Sequence, residues 1–111
     1  MQRDDATVLD IVLACQQIHV YMADLTFEQF ANDALVQDAV LYRLTIIGEA
    51  VGRLSEGFRH EHNDVPWRKI AGMRHRVIHE YDNIHLSTVW RVVQDEVPKL
   101  RQRLEPLVPP P

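Results

Sequence analysis

The sequence predicts an all-α protein: an antiparallel bundle of four main helices plus one short helical turn. Glycine is scarce, four in 111 residues, and aromatic residues make up only 7%, whereas sheets built on tight turns lean on both. Good helix formers, Ala, Leu, Arg, Glu and Gln, are plentiful. Apolar residues recur at spacings of three and four, and no segment alternates with the period of two that a strand requires.

The first helix spans about Asp4 to Asp24, with Val8, Ile11, Val12, Cys15, Ile18 and Met22 on one face and Asp4, Asp5 and Asp10 favouring its N-terminal end. "LTFEQFAND" reads as a connection containing a helical turn. Asn32 or Asp33 caps a second helix that runs to about Leu54, along a stripe of Val36, Val40, Leu44, Ile47, Val51 and Leu54. Gly48 and Gly52, one turn apart on it, each cost about 1 kcal/mol relative to alanine, which predicts close approach of another backbone, within the chain or across a dimer. "SEGFRHEHNDVP" is a polar break, with His60 and His62 read as solvated. Pro66 suits the first turn of a third helix, "PWRKIAGMRHRVIHE", whose apolar side is Trp67, Ile70, Met73 and Val77. The last helix covers about Leu86 to Leu104, presenting Leu86, Val89, Trp90, Val93, Val97, Leu100 and Leu104, with a bend expected at Pro98. Residues 1–111 therefore form a single domain, and 105–111 a loose proline-rich tail.

Composition excludes several classes. Apolar residues at 46% and charged residues at 25% are ordinary for a globular protein. The single Cys15 forms no internal disulfide, no apolar run approaches a membrane span, and the acidic N-terminus is unlike a secretion signal, so a reducing cytoplasm is the expected location. The net charge of −4 argues weakly against a nucleic-acid partner, but the charge is unevenly spread. Residues 1–40 hold seven acids and one base, Arg3, whereas 65–79 hold Arg68, Lys69, Arg74 and Arg76 and no acid.

That basic block overlaps "GMRHRVIHEYDN". His75, His79 and His85 have the H-x3-H-x5-H spacing of one zinc-protease class. The chemistry needs a glutamate after the first histidine and a glycine before the third; here stand Arg76 and Asp82, and an arginine beside the metal repels it. No metal or cofactor is expected. Arg74 and His79, R-x4-H, suit RNA cleavage better: histidine moves a proton near neutral pH and arginine binds phosphate oxygens. On a straight helix five residues give about 7.5 Å of rise and about 140° of rotation, so the helix must end near His79, or a two-fold dimer must bring two copies together. His75 and His79 would share a face. The bland alternative pairs Arg74 with an acid such as Glu49 and sets His79 at the helix C-terminus.

Three segments in order, "IIGEAVGRLSEGF", "VPWRKIAGMRHRVIHEY" and "VWRVVQDEVPKLRQRLE", resemble the HepT-like branch of the HEPN superfamily, over roughly Asp38 to Glu105. The family signature R-x4-H-x-Y falls on Arg74, His79 and Tyr81; where the family often has asparagine, this chain has His75. The resemblance implies a HEPN-like, homodimeric helical protein and a metal-independent ribonuclease toxin. It also implies an antitoxin partner, a minimal nucleotidyltransferase that adds AMP to the tyrosine, here Tyr81, or forms a hetero-oligomer with the toxin. On this reading Arg74 and His79 are catalytic and act on an RNA substrate that His75, Arg76, Arg68 and Lys69 help to bind. The competing reading is a non-catalytic helical module that docks a nucleotidyltransferase or holds its nucleotide.

Overall fold

Two long helices form the frame, α1 (Arg3–Met22) and α3 (Ala34–Arg53). The computed structural model describes residues 3–79 and 83–110, with backbone alone for Ile78, His79 and Asn83. The predicted apolar stripes are the buried ones: Val8, Ile11, Val12, Cys15, Ile18 and Met22 of α1 face Val40, Leu44, Ile47 and Val51 of α3. Each such side chain contributes about 1.5–3 kcal/mol on leaving water, so this seam accounts for much of the core. The pair runs antiparallel. At one end the Asp4 carboxylate accepts from the Ser55 amide (3.0 Å) and hydroxyl (2.7 Å), and nearer the other end Arg43 donates to the Tyr21 hydroxyl (3.3 Å).

The turn joining them contains α2 (Phe27–Ala31), held by a reciprocal cap between Thr26 and Gln29. Phe30 plugs the core, and Phe27 and Phe30 meet Trp90 at ring-centroid distances of 5.6 and 5.9 Å. Asp33, one of the two predicted caps, accepts from the Val36 amide at 3.1 Å. Gly48 and Gly52 diverge. A Cβ at Gly48 would lie 3.1 Å from the Ala71 carbonyl oxygen, so this glycine does admit a second backbone, while at Gly52 nothing lies within 4 Å.

Beyond α3 the structure departs from the sequence reading in five places. The polar break holds a helix, α4 (Glu56–Glu61), capped by Ser55, whose hydroxyl accepts from the Phe58 amide. The third helix is two short pieces, α5 (Trp67–Ala71) and α6 (Met73–Val77), meeting at Gly72, where ψ is 9°. The chain then becomes extended: β1 (Ile78–His79) pairs antiparallel with β2 (Asn83–Ile84). The β-branched Val77–Ile78 step favours this backbone, and the His85 amide closes it by donating to the Val77 carbonyl at 2.8 Å.

The last helix is also subdivided, into α7 (Leu86–Arg91), a π-helical turn (Val92–Glu96) and α8 (Val97–Leu104). Pro98 explains the turn: it has no N–H for the Gln94 carbonyl and its ring crowds that oxygen, so the spiral widens and the Val97 amide donates to Val92, five residues back. Finally, Glu105–Leu107, expected to be loose, make a 3-10 turn against α1, with Gln16 donating to Glu105 (3.3 Å) and Leu107 and Val108 half-buried on the core. Among the described residues no helix is long and apolar enough to cross a membrane.

Candidate functional site

The basic block lies on α5 and α6, and the fold divides its cations into two kinds. Arg76 is half-buried and bidentate on Glu96 of the π-helical turn: Nη1 donates to Oε1 at 2.8 Å and Nη2 to Oε2. Lys69 adds its ammonium 3.9 Å from the same carboxylate. The hydrogen bonds from Arg76 hold the Glu96 carboxyl below the usual carboxylate range against the opposing effect of burial, and the same bonds raise Arg76. Both residues were expected to contact RNA. In the fold Arg76 ties α6 to the last helix, and Lys69 assists.

Arg68 and Arg74 differ. Both are exposed, and neither forms an ion pair with an acid among the described residues; Glu49, the partner of the bland reading, is exposed and does not take Arg74. His75, beside Arg74, is exposed too. α6 stops at Val77, between Arg74 and His79, so the divergence imposed by a straight helix does not apply. His79 lies on β1 with its side chain outside the described residues, and Tyr81 lies outside them altogether.

Other titratable groups have structural roles. Burial pushes the Cys15 thiol up to about 12, so it stays protonated and is no nucleophile. His62 is not a solvated residue as expected: its ring packs on Phe58 (centroids 4.5 Å apart) and its Nδ1 lies 3.1 Å from Arg103, which also grips Asp64. His60 is exposed, as expected. The residue that sequence reading missed is Glu96. It stands 20 positions from Arg76 in an acidic pair with Asp95, and no local pattern distinguishes it from a solvated acid.

A model of the family described as "Ribonuclease HepT-like" matches residues 11–107, nearly the whole chain. The chain belongs to the HepT-like ribonuclease family. Its relatives include the "Probable ribonuclease HepT" of Thermococcus cleftensis, 35% identical over 98 residues, which cover 88% of this chain and 89% of the relative. Another, named "Putative RNase", comes from Caldanaerobacter subterraneus subsp. tengcongensis and is 35% identical over 98 residues, 88% of each chain. No solved structure matches. The HepT-like match runs from within α1 to the 3-10 turn: the protein is a ribonuclease, and its substrate class is RNA.

Proposed function

We propose that this HepT-like protein is a metal-independent endoribonuclease in which Arg74 and His79 act on one scissile phosphodiester. The observation that carries the reading is the contrast between the two arginines of α6: Glu96 holds Arg76, and Arg74 stands exposed with no acid among the described residues to neutralise it. An unneutralised guanidinium retains its affinity for phosphate oxygens. In the step itself His79 takes the proton of the 2′-hydroxyl and the 2′-oxygen attacks the adjacent phosphorus. The bond from phosphorus to the 5′-oxygen then breaks, and the leaving oxygen receives a proton, returned by His79 or supplied by His75. Arg74 stabilises the charge that builds on the phosphoryl oxygens. The products are a 2′,3′-cyclic phosphate and a free 5′-hydroxyl, and the balance needs neither metal nor cofactor.

The same reading makes the protein the toxin of a toxin–antitoxin pair and a homodimer whose two basic blocks line one positive cleft. Its antitoxin is a minimal nucleotidyltransferase. AMP placed on Tyr81, two residues beyond His79, brings bulk and negative phosphate to the site and competes for Arg74. The experiment is RNA cleavage by purified, unmodified protein in excess chelator. Arg74→Ala and His79→Ala are each expected to lose about 10²–10⁴ in rate; equal RNA decay in wild type and both variants would end the catalytic reading. The modification is tested separately: a Tyr81→Phe variant is expected to resist AMP transfer and remain active in the partner's presence.

A further inference from the structure

The fold places cations beside α5 that the basic block does not contain. Arg59 and His60 of α4 share with Arg68, Trp67, Ala71 and Glu56 an open groove of about 480 Å³. The Trp67 indole sets this arrangement: its Nε1 donates to the carbonyls of Arg59 (3.2 Å) and His62 (3.0 Å), locking α4 across from α5. The groove therefore presents two permanent cations and an imidazole against one carboxylate, on a chain whose net charge is −4. Neither Arg59 nor Arg68 is ion-paired among the described residues.

We propose that this groove is a second RNA subsite, which holds the backbone of the strand beside the cut through Arg59 and Arg68. The nature of the strand rests on the ribonuclease reading above. Position and chemistry both favour it. Ala71, at the groove's edge, precedes Arg74 by three residues, which span at most about 11 Å, so a strand whose phosphate sits at Arg74 reaches the groove within a few nucleotides. Guanidinium forks suit phosphate oxygens, and the groove's open form admits an extended single strand. The path thus turns toward α4, away from Arg76, whose charge Glu96 already offsets.

The test is the salt dependence of binding of a uniformly 2′-O-methylated single-stranded RNA oligonucleotide to the full chain, read by fluorescence anisotropy. Methylation blocks attack by the 2′-oxygen, so binding is read without cleavage. A folded Arg59→Gln, Arg68→Gln double variant is expected to bind about tenfold more weakly. Its slope of log affinity against log salt falls by about 1.4, the loss of two phosphate contacts on a single strand. The Arg59→Lys, Arg68→Lys variant keeps the slope, and so does Lys99→Gln on α8. Unchanged binding in the double glutamine variant overturns the proposal, as does an equal loss in Lys99→Gln. A double variant that retains the RNA but loses a polyglutamate peptide also overturns it, reassigning the groove to an acidic protein partner. Should Arg74→Ala cleave like wild type, the catalytic reading fails while this binding result stands on its own.

Discussion

Two arginines two positions apart, Arg74 and Arg76, have the same chemistry and opposite surroundings. Arg76 shares two hydrogen bonds with a half-buried carboxylate, and breaking such a charged contact typically costs about 1.5–3 kcal/mol. Glu96→Gln is therefore expected to lower stability by about 1–2 kcal/mol in urea unfolding, discounted for partial exposure of the pair, whereas Arg74→Ala stays within about 0.5 kcal/mol of wild type. The pH dependence has a definite sign. Glu96 is depressed in the folded state, so its contribution is complete above the unfolded carboxylate value of about 4.3 and is lost as pH falls through the lower folded value. The stability gap between wild type and Glu96→Gln should accordingly narrow as pH drops below about 4.3; a gap that widens there contradicts the assignment. At this scale the candidate residues were legible in the motif spacing, but their roles were not. What separates Arg74 from Arg76 is an acid on another helix, and distant contacts leave no mark on local sequence.

Secondary structure was readable where a helix is long enough to show its apolar period and only partly readable where it is short, as in the helical turn that became α2. α1 and α3 repeat their stripes over several turns, and their predicted faces are the buried ones. α4 offers little beyond half-buried Phe58, so its six residues read as polar loop. The break after Val77 depends on pairing with Asn83–Ile84, a contact that period counting along a helix does not see. Pro98 announced an irregularity without its form, since a bend and a π-helical turn both relieve the missing N–H. The glycines of α3 supply a test. Gly52→Ala meets nothing within 4 Å and should stabilise by about 0.5–1 kcal/mol. A Cβ at Gly48 already lies 3.1 Å from the Ala71 carbonyl, so Gly48→Val should cost about 2 kcal/mol or more by forcing α5 off α3. Thermal melts of the two variants should shift in opposite directions.

For the whole molecule, charge is the feature that composition alone misrepresents. An acidic total conceals a surface on which Arg59, Arg68 and Arg74 form no ion pair with an acid among the described residues, and local potential rather than net charge governs approach of a polyanion. RNA cleavage at subsaturating substrate should fall steeply between about 50 and 200 mM salt, because phosphate contacts release counterions; a rate indifferent to salt contradicts a cationic path. The division of labour on α6 is the centre of the account, and it is tested most directly by measuring kcat/KM for RNA cleavage in chelator alongside melting temperature for Arg74→Ala and Arg76→Ala. The account predicts a loss of at least about 100-fold with unchanged melting for Arg74→Ala. For Arg76→Ala it predicts a lowered melting temperature, with cleavage within a few-fold of wild type wherever the protein remains folded. A folded Arg76→Ala variant that no longer cuts RNA, or an Arg74→Ala variant that cuts like wild type, would contradict it.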